Sequence, residues 1–569
     1  MQIKLSDAIA KYLRSIGINV VFGYQGGSIT HMIDSFRKYC INYVQSYNEQ
    51  GAGLAADAFA RVSKLGIGVA IGTNGPGATN LITAIANAYC DSVPVLFFTG
   101  QVHTFAMKKD SNVRQESFQE IDIVSMVRPI TKYAVTITEK NEALNEIKIA
   151  IEIALADRMG PVLIDLPVDI QGEYIEDEQC SYEGCIKRNC HNEFNELEIK
   201  KIADAILHSD KPLFLAGGGI RSSRAVDEFR KLVKVCNIPV AVSLMGLDVL
   251  PHEDENFVGF IGTYGNRYAN IAVQNADLII AIGTRLDMRQ TGKQKHKFAN
   301  NAAIIHVDID ENEIEHYIKE TISLKCDINV FISHLRKVFS NKTIKSYEPW
   351  KRHIRRWKEK YPSEKEFNET KEINPNKIVN NIGKLVPNHS IVTFDVGQNQ
   401  MWTAQSLRMK GDDIRILNSG GLGTMGYSLP AGIGAYFAEQ TRTIISNMGD
   451  GGLQMNVQEL QMVAQYRIPI KVIVYKNNAL GLIRDIHEKY YNRRYIGSVE
   501  GFSVPPLDKL ASVYNMSYLK IDGEIPSDQL EKIFSDSNAW MIEVEMNSDT
   551  YIRPELLGTD ALDKQSPYL

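Results

Sequence analysis

The chain is punctuated by short runs that are apolar at nearly every position rather than at every second one. One series occupies residues 20–23, 66–71, 93–99 and 161–166. A second occupies 212–216, 239–243, 278–282 and 304–307, and a third 391–394, 443–446, 470–475 and 540–544. A strand that is apolar on both faces must be covered on both faces, which is the condition of a parallel sheet with helices above and below. Glycine turns close many of the runs, and the stretches between them read as helices. The pattern predicts an α/β chain of three doubly wound parallel-sheet domains, over residues 1–171, 196–345 and 374–548. The acidic, polar stretch 172–195 and the Lys-, Arg- and Trp-rich stretch 346–373 read as linkers, and 549–569 as a C-terminal tail.

Composition narrows the classes. The 569 residues are 44% hydrophobic and 23% charged, as in ordinary globular proteins, with a formal net charge of -5. A nucleic-acid partner calls for a basic bias, so none is expected. No run approaches the roughly 18 apolar residues of a membrane helix, and the amphipathic N-terminus has no signal-peptide core. Seven cysteines, an odd number, suggest reduced thiols and a cytoplasmic setting. Cys180, Cys185 and Cys190, followed by His191, match no standard zinc spacing and read as linker thiols.

The strongest chemical signal is Gly449-Asp450-Gly451, followed by Asn477-Asn478 at the end of the next apolar run. Alone, the first is an ordinary turn and the second a strand-ending Asn pair. Together they describe a metal–diphosphate site. The carboxyl ends of neighbouring parallel strands lie side by side, so Asp450 and Asn477 can share one ion. Mg²⁺ takes few protein oxygens plus phosphate, and Gly451 and Gly452 let backbone N–H groups approach that phosphate. Asp450 is expected to open a helix over 457–465.

On these residues the sequence resembles the thiamine-diphosphate-dependent enzymes, most of all the catalytic subunits of acetohydroxyacid (acetolactate) synthases, from Phe22 to about Met546. The resemblance implies that Asp450, Asn477 and the backbone of Ala479 hold the diphosphate through Mg²⁺. It implies that Glu49, in Tyr47-Asn48-Glu49-Gln50-Gly51-Ala52, hydrogen-bonds the aminopyrimidine ring. A carboxylic acid there favours the imino tautomer, whose nitrogen can take the thiazolium proton. Read alone, Glu49 is a solvated residue at a helix start. Pro76 and Asn80, in the loop from Thr73, match the contacts on the pyrimidine, and Gly397, Gln398 and Asn399 match a diphosphate segment. The synthases usually carry His where this chain has Asn399, and Asn can still donate a hydrogen bond. Gly423 is implied to offer its carbonyl to the amino group, and Met425 to wedge beneath the cofactor.

For the middle domain the resemblance implies a non-redox FAD, through segments carrying Gly218, Met245, Gly265, Arg285 and Asp308. Tyr264 and Met288 replace the family's His and Asp. Arg289 matches the arginine that grips the acceptor's carboxylate, and its fork suits the task; its other reading is a surface arginine. Gly26 and Gln119 match residues near the reacting carbon. Gln25 stands where the family usually has Pro, and the stretch before Gln119 is basic (Lys108, Lys109, Arg114). At Asp485 and Ile486 the synthases carry a Gln-Trp pair, and that Trp selects a small acceptor.

The implied activity is a carboligase: pyruvate loses CO₂ and its two-carbon unit is added to an acceptor carbonyl, giving 2-acetolactate when the acceptor is pyruvate. The open acceptor pocket and basic loop allow a keto-sugar nucleotide as the alternative acceptor. A 2-ketoacid decarboxylase, a thiamine oxidase and a non-catalytic relative are further alternatives, though no His-His pair is present to serve a decarboxylase. The family's site lies between two subunits, so a homodimer or homotetramer is expected.

Overall fold

Each apolar series folds into a six-stranded, wholly parallel sheet in the computed structural model. The structure describes residues 1–108, 112–179, 182, 188, 196–319, 321–340, 342–367 and 373–567. In the first sheet the strands lie in the order Asn42–Gln45, Val20–Gly23, Gly68–Gly72, Val95–Gln101, Val162–Pro167, Tyr133–Thr136. The third sheet repeats this path with Ile414–Asn418, Ser390–Phe394, Thr443–Gly449, Lys471–Lys476, Trp540–Glu545 and Ser517–Ile521. The middle sheet differs: Phe257–Phe260, Val240–Val242, Pro212–Ala216, Leu278–Ile282, Ala303–Asp308, Ile322–Lys325. Counted along the chain that order is 3-2-1-4-5-6, the order of dinucleotide-binding sheets. The central strands are buried end to end, as in Val95–Gln101 and Leu278–Ile282.

The first and third domains are fused by small residues. The helix Glu49–Val62 carries five alanines and two glycines and lies against the helix Ser428–Ala438. A Cβ on Gly434 would stand 2.0 Å from the Ala55 carbonyl oxygen, so the two backbones touch. Gly434→Val should therefore lower stability by about 1–3 kcal/mol, read by denaturant unfolding. One apolar cluster runs from Phe22 and Ala55 of the first domain to Ile433 and Val472 of the third.

The stretches expected to be linkers carry structure at their ends. Tyr174–Glu176 pairs antiparallel with Gln2–Lys4. The helix Glu348–Lys360 seats Trp350 and Ile354 in the core of the middle domain, with the Trp350 indole donating to the Pro212 carbonyl at 3.1 Å. The tail returns across the molecule: Trp402 donates to the Tyr551 carbonyl and Leu556 N–H to the Thr263 carbonyl, each at 2.7 Å. Among the described residues, Cys40, Cys90, Cys236 and Cys326 are free thiols and no helix is long and apolar enough to cross a membrane. Cys180, Cys185, Cys190, His191 and Lys109 lie outside the described residues.

Candidate active site

In a parallel sheet, ligands bind beyond the carboxyl ends of the strands, where the strand order reverses. In the third sheet that point lies between Ser390–Phe394 and Thr443–Gly449. The first strand runs into Asp395, Gly397 and Gln398, the second into Asp450. The register Gly449↔Tyr475 sets Asp450 beside the end of the next strand and so beside Asn477. The Asp450 carboxylate accepts from Gly451 N–H and Asn478 N–H, both at 2.7 Å. Burial pushes its carboxyl up to about 6, against the pull of those backbone donors. Asn477 Oδ1 accepts from Ala479 N–H at 3.1 Å, and its amide faces Gln398 Oε1 at 3.4 Å. The group is an oxygen-rich turn of Asp, Asn and backbone, the donor set of a hard cation.

The helix after Asp450 differs from the expected 457–465. It runs Asp450–Met455, breaks at the buried Asn456, turns through Val457–Glu459 and resumes as Leu460–Tyr466. The break is specified by Asn456, whose amide leaves the helix to donate to the Gly426 carbonyl at 2.8 Å.

A second cluster sits at the start of the helix Glu49–Val62. Asn48 caps it, its Oδ1 accepting from Gln50 N–H at 2.8 Å. Glu49 is only 5% exposed and accepts from Asn80 Nδ2 at 2.9 Å. Gly77 must be glycine here, since a Cβ would lie 3.0 Å from Glu49 Oε1 and 2.7 Å from Thr73. Pro76 opens the short helix Pro76–Asn80 beside this carboxyl and is exposed. Gln119, at φ 62°, packs on Gly75, while Gly26 packs on Thr73. The structure thus gathers Gly26, Glu49, Pro76, Asn80 and Gln119 at one end of the first sheet. Among the described residues, no hydrogen bond or ion pair joins Glu49 to Asp450.

Beside the Asp450 cluster runs the loop 419–427. Gly423, at φ 73°, has open space around it, and the Met425 methyl would stand 3.1 Å from a Cβ on Gly451. Asn399 is buried with its Oδ1 unpartnered, at the N-terminus of the helix Gln398–Ser406.

The middle domain holds a cavity of about 300 Å³ at the reversal point of its sheet, between Pro212–Ala216 and Leu278–Ile282. Gly218, Met245, Arg285, Arg289 and Asp308 line it, and Gly265 does not. Gly265 instead packs on Ile261 and Gly262, and its carbonyl receives the Gln565 amide at 2.8 Å. The glycine turn is tight: a Cβ on Gly219 would lie 2.6 Å from Gly283 Cα. Two cavity arginines, Arg221 and Arg415, flank buried Asp248. Burial pulls the Asp248 carboxyl upward, yet the two guanidinium groups hold it down at about 2. Each of those guanidinium groups keeps a buried Nε–H without a partner. A cationic pocket with unpaired donors and a glycine turn fits the diphosphate of a dinucleotide.

The helix Gly481–Tyr490 turns Arg484 and Asp485 inward and Ile486 outward, 43% exposed. Arg484 ion-pairs with Asp485, and Asp485 accepts from Gln398 Nε2 at 3.0 Å.

Two residues escaped the sequence reading. Asp395 is fully buried and accepts from Gly426 N–H at 2.8 Å and Ser428 N–H at 3.3 Å, fixing the turn behind Met425. Glu459 of the third domain accepts from Tyr47 N–H at 3.2 Å and lies against Gly51. Burial pushes both carboxyls up to about 7. Asp395 had a signal, an acid at the exact end of an apolar run before Gly397. Glu459 had none, since its partner lies some 400 residues away in sequence.

Comparison with known proteins places the chain. Residues 3–126 match the N-terminal binding domain of thiamine pyrophosphate enzymes, 199–335 their central domain and 395–544 their C-terminal binding domain. The acetolactate synthase large subunit of Lactococcus lactis subsp. lactis is 35% identical, over 96% of this chain and 93% of its own. That of Porphyra purpurea is 36% identical (91% and 87%), and that of Buchnera aphidicola subsp. Schizaphis graminum 33% (96% of each). With three domains matched in order and relatives aligned over nearly its whole length, this chain belongs to the thiamine pyrophosphate enzymes, in the family of acetolactate synthase large subunits.

Proposed function

We propose that the protein is a Mg²⁺- and thiamine-diphosphate-dependent carboligase that converts two molecules of pyruvate into 2-acetolactate and CO₂. The observation that carries this reading is the pairing of a buried Glu49 carboxyl, held by Asn80, with an oxygen-donor turn of Asp450 and Asn477 in the same chain. When bound, thiamine diphosphate supplies the electron sink that lets a 2-ketoacid lose CO₂ and pass on its remaining two carbons. The protein's share is binding, orientation and proton handling. Asp450, Asn477 and the Ala479 backbone would hold Mg²⁺, with Gly397, Gln398, Asn399, Gly451 and Gly452 around the diphosphate. Glu49 would hold a proton against the pyrimidine, Pro76 and Asn80 would flank that ring, and Gly423 and Met425 would fix the cofactor's bend. Gly26 and Gln119 would border the reacting carbon, and Arg289 would take the acceptor's carboxylate in a forked pair. The cavity of the middle domain would hold FAD through Gly218, Met245, Arg285 and Asp308.

The protein would work as a homodimer or homotetramer in the cytoplasm, with the Glu49 half-site of one copy completing the Asp450 half-site of the other. Dilution to monomers should then abolish activity, followed by light scattering beside an activity assay.

Mg²⁺ binds the ionised carboxylate, so apparent Mg²⁺ affinity should climb as pH rises toward about 6 and level off above it, as Asp450 loses its proton. Calorimetric titration with Mg²⁺ at a series of pH values, with thiamine diphosphate present, checks this.

The acceptor has a second reading. Ile486 stands outward where the synthases carry Trp, and Met288 is 50% exposed, which leaves room for an acceptor larger than pyruvate, such as a keto-sugar nucleotide. Product analysis with pyruvate alone, then with such an acceptor added, separates the two.

A further inference from the structure

The loop 419–427 bears Gly423 and Met425, but its first half is held by the first domain. The Asp91 carboxylate accepts from Gly420 N–H at 3.1 Å and Gly421 N–H at 2.7 Å. Asn87 Oδ1 accepts from the Ser419 hydroxyl at 2.6 Å and the Thr424 hydroxyl at 2.9 Å. Arg61 donates to the Asn418 carbonyl at 3.0 Å and ion-pairs with Asp91 at 3.0 Å. The Arg61 and Asp91 side chains and the Asn87 bonds are buried, which strengthens them, while the Gly421 amide lies at the surface.

The same residues form a wall of the middle-domain cavity. Arg61, Asp91, Asn418 and Gly420 line it together with Met245. A Cβ on Gly420 would stand 2.4 Å from Met245 Sδ, so loop and cavity lining are in direct contact. One face of the wall therefore meets whatever fills the cavity, and the other carries the loop.

We propose that Asp91 is a positioning residue that links the two cofactor sites, so that a dinucleotide in the cavity and thiamine diphosphate on the loop each tighten the other's binding. This rests on the flavin reading of the cavity. The physical reason is that both ligands need the same wall ordered. The first to bind meets that ordering cost, and the second finds the wall already set. Linkage is reciprocal by thermodynamic necessity, and factors of about 5- to 150-fold are the ordinary range.

The test measures FAD affinity by flavin fluorescence on the cofactor-stripped protein, with and without Mg²⁺ and thiamine diphosphate. In the wild type, FAD should bind at least about 5-fold more tightly with thiamine diphosphate present. Asp91→Asn removes one of the two carboxylates that hold Arg61, the other being Asp57, and one of the two acceptor oxygens. It should bring that ratio to about 1. Asp308→Asn, in the cavity lining at the end of the strand Ala303–Asp308, should weaken FAD and keep the ratio; a residue that merely supports the fold would not separate these behaviours. Should Asp91→Asn not fold, hydrogen exchange on the wild type decides: FAD alone should slow exchange of the Gly420 and Gly421 amides. FAD binding with no linkage in the wild type, an undiminished ratio in Asp91→Asn, or unprotected loop amides overturns the coupling while leaving the flavin reading standing. Failure of FAD to bind at all overturns the flavin reading and the coupling with it.

Discussion

Glu49→Gln should lower turnover by about 10²- to 10⁴-fold with thiamine diphosphate still bound, the range for loss of a positioned acid–base group. The side chain is buried, and its hydrogen-bond donor is Asn80 Nδ2, at 2.9 Å. Gln keeps the shape and one acceptor oxygen for Asn80, so the helix start capped by Asn48 should hold. What it loses is a proton that can be passed on, which only the carboxyl supplies. The expected signature is a fall in kcat with little change in cofactor affinity, from steady-state kinetics beside a binding titration. Turnover near that of the wild type would remove Glu49 from its assigned role.

Asp450→Ala should act on binding instead. It takes away the charged oxygens of the proposed metal site and strands two backbone donors, Gly451 N–H and Asn478 N–H, that now end on that carboxylate at 2.7 Å. Removing even an outer partner of a metal ligand costs about 10- to 100-fold in metal affinity, so loss of the ligand itself should cost at least about 100-fold. Thiamine diphosphate should be lost in step, because on this reading its diphosphate would be held through the ion. Calorimetry with Mg²⁺ and thiamine diphosphate gives the answer. Unchanged affinity for both would mean that the Asp450 turn is structural.

The contrast between what the sequence disclosed and what it withheld follows sheet position. The strands with near-continuous apolar runs are the central four of each sheet. The six that went unread are Asn42–Gln45, Tyr133–Thr136, Phe257–Phe260, Ile322–Lys325, Ile414–Asn418 and Ser517–Ile521, and each is an edge strand. Most of these edge strands are covered less fully, so their residues mix polar and apolar types, as Tyr133–Thr136 and Ser517–Ile521 do, whereas Phe257–Phe260 is apolar and buried throughout. The chemistry divides in the same way. Asp450, Asn477 and Gly451 sit in local motifs whose spacing carries meaning, so they stand out in the sequence as candidates for a metal–diphosphate turn. Glu49, Met425 and Arg289 became candidates only by resemblance, because each is an unremarkable residue in its own segment. Glu459 and Asp91 stayed hidden, since their partners come from another domain and only the folded chain brings them together.

The central claim is that this chain joins two molecules of pyruvate through a carbon–carbon bond. The most direct test is product analysis after incubating the protein with thiamine diphosphate, Mg²⁺, FAD and pyruvate alone. The account predicts one 2-acetolactate and one CO₂ for every two pyruvates consumed. Pyruvate left untouched while the cofactors are bound, or acetaldehyde as the sole organic product, would contradict it.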